Sequence, residues 1–187
     1  MVAARALARD ISARMQTLGM TGGRFEADVT QNGNAEPTQH GIDQIEFRVT
    51  ANPGSPPRAL AKVASGGELA RLSLAVQVSC AQEEARCMVF DEVDAGIGGA
   101  IAEIVGRELR ALGALGQVLC VTHLPQIACF ADHHYLVEKR ESKGRTEATV
   151  EELDGAARTR EVGRMLSGQK LTPEALKHAE QLIKMSA

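Results

Sequence analysis

The chain has 187 residues, 44% of them hydrophobic and 24% charged, which is the length of one domain with a sizeable core and excludes two large domains. Uninterrupted apolar runs such as residues 118–121 are far too short to cross a bilayer. Arg5, Arg9 and Asp10 interrupt the stretch where a secretory signal needs an apolar region, so neither a membrane span nor a signal is expected. The net charge of -3, from 21 basic and 24 acidic residues, and the presence of only four Phe, one Tyr and no Trp exclude a basic arm or a stacking platform that grips DNA by itself. The redox setting reads as cytosolic, and Cys80, Cys87, Cys120 and Cys129 read as buried thiols, since no C-x-x-C occurs and no His stands at zinc-finger distance.

Residues 2–18 carry Leu7, Ile11, Met15 and Leu18 at the spacing of one helix face, and the pattern stops at Gly19. An amphipathic helix accounts for this, and so does the end of a coiled coil. Residues 24–30 alternate with Phe25, Ala27 and Val29 on one side, and residues 43–50 with Ile45, Phe47 and Val49, which predicts two antiparallel strands around a polar loop, 31–41. Asn52-Pro53-Gly54-Ser55-Pro56-Pro57 is a turn. From Ser65 the period lengthens. Leu69, Leu72, Val76 and Cys80 mark a helical stripe while Leu74, Ala75 and Val78 fill other faces, so this helix is expected to be largely buried. A strand at 87–90, a helix near 101–112 and a strand at 117–121 have the order and spacing of a βαβ crossover in a parallel sheet. Residues 134–139 and 146–152 read as a hairpin around Ser142-Lys143-Gly144. Of the two closing helices, the last has Thr172 as its cap, Pro173 in its first turn and a stripe of Leu176, Ala179 and Ile183. The class is α/β, with a parallel sheet, flanking helices and additional antiparallel strands.

Three places carry chemistry. Ser65-Gly66-Gly67-Glu68 has the form of a capping box, yet two glycines in the first turn also open the helix start to an anion; the two readings are compatible. Met88-Val89-Phe90-Asp91-Glu92 is an apolar strand ending in adjacent carboxylates. Either the strand end reaches solvent, or the carboxylates have separate tasks, as in a nucleoside triphosphatase where the Asp serves Mg²⁺ and the Glu polarises the attacking water. On a strand the two side chains would face opposite ways and could not form one dyad. His123, after the second parallel strand, is either structural or placed to hold a phosphate and the water in line. Asp132, His133 and His134 lack further ligands for a metal.

Residues 62–71 (Lys-Val-Ala-Ser-Gly-Gly-Glu-Leu-Ala-Arg), 90–99 (Phe-Asp-Glu-Val-Asp-Ala-Gly-Ile-Gly-Gly) and 121–128 (Val-Thr-His-Leu-Pro-Gln-Ile-Ala) together resemble the C-terminal half of the bacterial recombination and repair family RecN, over residues 1–170. That family is an SMC-like branch of the ABC ATPases, whose heads join the two ends of the chain across a long coiled-coil hairpin. The resemblance implies that residues 1–18 are the end of a coiled-coil helix and 19–187 the C-terminal lobe of an ATPase head. It implies a signature at Ser65, Gly66, Gly67 and Glu68 that contacts ATP held by the opposite head. Asp91 matches the Walker B aspartate at Mg²⁺, Glu92 the catalytic glutamate, Asp94 the D-loop and His123 the switch histidine. Ala64 stands where transporters have Leu, an ordinary variation for this branch. No G-x-x-x-x-G-K-[ST] occurs, and Gly168-Gln169-Lys170 lacks the following hydroxyl residue, so the chain reads as half an active site from a longer or divided protein. The implied function is recombinational repair of DNA double-strand breaks, within the SOS response. ATP and Mg²⁺ would serve only together with the N-terminal Walker A half and a second head in a homodimer. DNA would be bound through the full-length protein, in the cytoplasm at the nucleoid and without a membrane. A non-catalytic module that docks on heads, and a head of another SMC-like or transporter branch, are the alternatives.

Overall fold

The computed structural model describes residues 2–31, 36, 39, 41–50, 53–62, 66–80, 87–142, 145–168 and 170–186. In chain order the elements are α1 (Val2–Thr17), β1 (Arg24–Gln31), β2 (Asp43–Thr50), β3 (Arg58–Ala59), a 3-10 turn (Leu60–Lys62), α2 (Gly66–Cys80), β4 (Cys87–Phe90), α3 (Gly99–Gly113), β5 (Gln117–Cys120), α4 (Pro125–Ala128), β6 (His134–Ser142), β7 (Arg145–Leu153), α5 (Gly155–Ser167) and α6 (Pro173–Ser186). They fall into two compact units, residues 1–97 with 111–121, and residues 98–110 with 122–187.

In the first unit α1 buries Ile11 and Met15, with Leu18 buried just past its end, which is the predicted stripe. Ser12 and Gln16 stitch α1 to the strand that follows. The Phe25 amide donates to Ser12 Oγ (2.9 Å), Gln16 Nε2 donates to the Gly23 carbonyl (2.8 Å), and the Gly22 amide donates to Gln16 Oε1 (2.7 Å). At Gly23 a Cβ would lie 2.8 Å from Met15 Cε and 2.9 Å from the Met20 carbonyl, so only glycine lets the chain turn this closely under the helix. β1 and β2 pair antiparallel with Phe25 opposite Val49 and Val29 opposite Ile45, and β3 adds a short third strand. Phe25 and Val49 are buried near α1, while Ile45 and Phe47 farther out are exposed. Most of the polar loop 31–41 and Asn52 lie outside the described residues.

β4 and β5 pair in parallel with Phe90 opposite Cys120, as the crossover pattern predicts. These apolar strands are only partly buried. Phe90 is the one buried residue of β4, and Val89, Leu119 and Val121 expose 66%, 46% and 63% of their surface. Among the described residues these two strands form the whole sheet, so nothing covers that face. The expectation of buried thiols holds for Cys129 alone: Cys120 is half-buried, and Cys80, at the end of α2, and Cys87, at the start of β4, are exposed. In α2 the buried set is Gly67, Arg71, Leu72, Leu74 and Ala75, and Leu69 is exposed, so the seam runs along a different line from the one the apolar residues suggested.

In the second unit β6 and β7 pair antiparallel from His134 opposite Leu153 out to Ser142 opposite Arg145, and Lys143 and Gly144 of the predicted turn lie outside the described residues. Thr172 Oγ1 accepts from the Ala175 amide (3.2 Å), which makes it the cap of α6 that the sequence calls for. Gly168 is the C-cap of α5 with φ 72°, a helix end in place of the strand-to-helix loop a phosphate cradle needs. His133 Nδ1 pairs with Glu152 Oε1 (3.0 Å) beside the hairpin base. His134 Nδ1 is buried without a partner, and burial, reinforced by the Arg158 charge, lowers its pKa. Arg158 donates to the carbonyls of Cys129 (3.0 Å) and Ala131 (2.5 Å). No helix among the described residues is long and apolar enough to cross a membrane.

Gly106 of α3 lies against the buried Phe130 ring. A Cβ there would collide with Cδ2 and lie 3.0 Å from Cε2 and 3.1 Å from the Gln126 carbonyl. Alanine improves helix propensity by about 1 kcal/mol, but overpacking a rigid ring costs about 1–3 kcal/mol, so Gly106→Ala is expected to lower the melting temperature. Thermal unfolding followed by circular dichroism reads the sign, and a rise would show that the ring is not seated on the helix.

Candidate functional site

Gly66 and Gly67 form the first turn of α2, and both are points of close approach. A Cβ on Gly66 would collide with Oε2 of Glu92; one on Gly67 would lie 2.8 Å from Ala95 Cβ and 2.9 Å from the Ala95 carbonyl oxygen. The glycines therefore have a structural use that a capping box alone does not give them: they let residues 92–95, directly after β4, lie on the helix start. Ser65, with residues 63 and 64, lies outside the described residues, so its proposed cap and anion contact have no geometry here. Glu68 follows in the first turn of α2, half-buried.

The segment after β4 is a tight turn. The Glu92 amide donates to Asp91 Oδ1 (2.9 Å), the Ala95 amide to the Glu92 carbonyl (3.0 Å) and the Ile97 amide to the Asp94 carbonyl (3.3 Å). Glu92 has φ 57°, and among the described residues it alone has a positive φ without being glycine. Holding a side-chain-bearing residue there costs roughly 1–2 kcal/mol, the kind of backbone strain that persists only where surrounding contacts impose it. The strand alternation expected to part Asp91 from Glu92 does not reach them: the strand ends at Phe90, and a left-handed kink follows at Glu92. Asp91 and Glu92 are exposed, while Val93 and Asp94 are buried beneath the turn.

Arg71, four residues after Gly67 and 6% exposed, fastens this turn from below. Its Nη1 donates to the Ala95 carbonyl (2.8 Å), and its Nε is buried without a partner. Burial lowers its pKa and the Glu68 charge opposes that shift, but a guanidinium keeps its proton throughout the accessible pH range. The sequence reading missed this residue. Its signal was a charged side chain in phase with Gly67, Leu74 and Ala75 on the buried side of an otherwise apolar helix, a position that needs a partner. Cys120, opposite Phe90 in the sheet, has its thiol pKa pushed up to about 12 by burial first and then by Asp94 and Asp91.

His123 belongs to the second unit, exposed in the link between β5 and α4, where the Leu124 amide donates to Thr122 Oγ1 (3.0 Å). Of the predicted site residues, then, Gly66, Gly67, Glu68, Asp91, Glu92 and Asp94 share the first unit, and His123 is described in the other.

No protein-family model matches the chain. Among curated proteins it is 47% identical over 182 residues to the DNA repair protein RecN of Xylella fastidiosa strain Temecula1, covering 97% of this chain and 33% of that protein. It is 44% identical over 181 residues to RecN of Vibrio cholerae, with 96% and 32% covered, and 37% identical over 162 residues to RecN of Bacillus subtilis, with 86% and 28% covered. Across that span the chain is similar to RecN proteins. It spans about a third of the length of these RecN relatives. Among solved structures it resembles the Smc head domain with coiled coil and joint from Pyrococcus yayanosii at TM-score 0.54 and 20% identity, with 84% of this chain and 28% of that chain covered. It also resembles a chain solved in work on ATP-driven dimerization and DNA-stimulated activation of SMC ATPases, at TM-score 0.50 and 18% identity, with 91% and 97% covered. The fold is that of an SMC-type ATPase head, as the RecN resemblance predicts.

The raised Cys120 pKa gives a direct probe of the acidic turn. At about pH 8 the Cys120 thiol stays protonated, so native-state alkylation by iodoacetamide is expected to modify the exposed Cys80 and Cys87 first and Cys120 slower by about 10²-fold or more. Asp91→Asn removes one of the carboxylates that raise this pKa and is expected to speed Cys120. Peptide mass spectrometry reads all four rates, and alkylation of Cys120 as fast as that of Cys87 would contradict the burial of the thiol under the turn.

Proposed function

We propose that this chain is the C-terminal lobe of a RecN-type ATPase head acting in recombinational repair of DNA double-strand breaks. In this reading ATP is bound and hydrolysed only together with an N-terminal Walker A half and a second head. The observation that carries it is the glycine-opened start of α2 packed against the turn that bears Asp91, Glu92 and Asp94. Two carboxylates with different surroundings, beside a helix whose free amides favour anions, suit phosphoryl transfer, where little covalent chemistry is asked of the protein beyond positioning and charge.

The donors fit the cofactor. Asp91 is exposed beyond the end of β4 and spends one oxygen on the Glu92 amide, leaving its other oxygen for a hard cation or its bound water. Mg²⁺ and ATP, when bound, would supply the charge neutralisation and the phosphoryl group. Glu92 would take the proton of the attacking water at its carboxylate. His123 would hold the terminal phosphate in line with that water. Ser65, Gly66, Gly67 and Glu68 would meet ATP held by the opposite head, and Asp94 would lie in the loop at the seam between heads. The exposed apolar face of Val89, Leu119 and Val121 supports a lobe that packs against more protein, for which the Walker A half is the natural candidate. Residues 1–18 would continue into a coiled coil and residues 19–187 would form the lobe. DNA would be engaged through the whole protein, in the cytoplasm at the nucleoid.

Two substitutions separate the carboxylates once the Walker A half is supplied on a second chain. Glu92→Gln keeps size and hydrogen bonding but removes the base, so turnover is expected to fall by about 10² or more with ATP still bound, and an ATP-dependent dimer accumulates. Asp91→Asn is expected to weaken Mg²⁺-dependent nucleotide binding instead, because a neutral amide is a poor partner for a hard cation. Nucleotide binding, turnover and size-exclusion chromatography with light scattering read the three effects. Equal loss of binding in both variants, with no trapped dimer in Glu92→Gln, would contradict the assignment.

A further inference from the structure

The geometry points to Arg71 as a positioning residue that locks the turn bearing Glu92 to the start of α2, so that what meets the helix start is transmitted to the carboxylate. The inference rests on the reading of Glu92 as the base and adds to it a residue to which the sequence analysis gave no role. Three independent features converge on the same few atoms. Arg71 Nη1 holds the Ala95 carbonyl at 2.8 Å. Gly67 admits the Ala95 backbone with no space for a Cβ, and the end of the Glu92 side chain lies against Gly66. Glu92 itself sits at φ 57°, a conformation that its neighbours must enforce. With Ala95 tied to Glu92 through the turn hydrogen bond of 3.0 Å, the chain of contacts runs from the first turn of α2 through Arg71 and Ala95 to Glu92 without a gap.

The chemistry of the side chain fits this task better than a stabilising one. A guanidinium taken out of water is retained at a cost, and here it spends one donor on a backbone carbonyl while its Nε is buried with no acceptor. An apolar residue would fill the same seam of α2, between Gly67 and Ala75, without either penalty. What only the planar, donor-rich head supplies is a fixed grip on the Ala95 carbonyl, and hence a fixed backbone for Glu92. Lysine can reach a single carbonyl but does not hold the plane of the contact.

The test has two arms. In the 187-residue chain alone, hydrogen exchange at the Ala95 and Ile97 amides is compared among wild type, Arg71→Lys and Arg71→Met, with the amides of α1 as internal reference. Exchange at the turn is expected to rise about tenfold in Arg71→Met and less in Arg71→Lys, with α1 unchanged. With the Walker A half supplied, kcat for ATP is expected to fall by about tenfold or more in Arg71→Met while KM stays within about twofold, since a misplacement of about 1 Å can cost about 10²-fold in rate. Arg71→Lys is expected to recover part of kcat, and it keeps the test decisive if Arg71→Met folds poorly. Wild-type kcat in both variants, beside an inactive Glu92→Gln, would overturn the role of Arg71 and leave Glu92 standing. Full turnover in Glu92→Gln, beside a slow Arg71→Met, would overturn the reading of Glu92 and not the grip. Equal exchange rates at the turn in all three proteins would overturn the grip itself.

Discussion

The close approach of residues 92–95 to the first turn of α2 is the constraint on which the rest of the site depends. It requires glycine at position 67, because a Cβ there would collide with the Ala95 carbonyl and Cβ, while at Gly66 a Cβ would displace the end of the Glu92 side chain. It requires a left-handed backbone at Glu92, and it is held from inside the unit by Arg71 on the Ala95 carbonyl. The Arg71 contact and the close approach at Gly67 hold Glu92 in a backbone conformation that costs roughly 1–2 kcal/mol. The strain is thus sustained by local contacts, and losing any one of them would let the turn relax away from the helix.

A consequence is that Glu92 and the start of α2 form one structural unit. A carboxylate beside a helix N-terminus is electrostatically at home, since the free amides there carry partial positive charge. The absent Cβ of Gly67 is what lets the chain's own turn lie this close to the helix.

Much of this was legible in the sequence because periodicity reports burial where one face alone is covered. The stripe Ile11, Met15 and Leu18 and the pairing of β1 with β2 follow from period 3.6 and period 2. The cap at Thr172 follows from a hydroxyl placed just before Pro173. The βαβ order of β4, α3 and β5 was readable from spacing. What was not legible is how much of the β4–β5 sheet is covered: an apolar run reads as buried whether its cover lies within the chain or elsewhere, and Val89, Leu119 and Val121 are exposed here. Nor does a sequence reveal that the chain kinks at Glu92 just past the strand end it does indicate at Phe90, because no glycine or proline marks the positive φ. Arg71 escaped because a charged residue among apolar ones is ordinarily assigned to the solvent side of a helix, and its partner is a backbone carbonyl, which carries no sequence signature.

In the proposed reading this chain holds the carboxylates and the signature of a nucleotide site without the cradle for the phosphates, since no G-x-x-x-x-G-K-[ST] occurs in its sequence. Isothermal titration calorimetry with MgATP tests this most directly, on the chain alone and with the Walker A half added. Alone, it is expected to bind no tighter than about the millimolar level, worth about 4 kcal/mol, and to give no turnover; with the added half, binding should tighten into the micromolar range, about 8 kcal/mol. A micromolar site or steady hydrolysis from the pure chain would contradict the account.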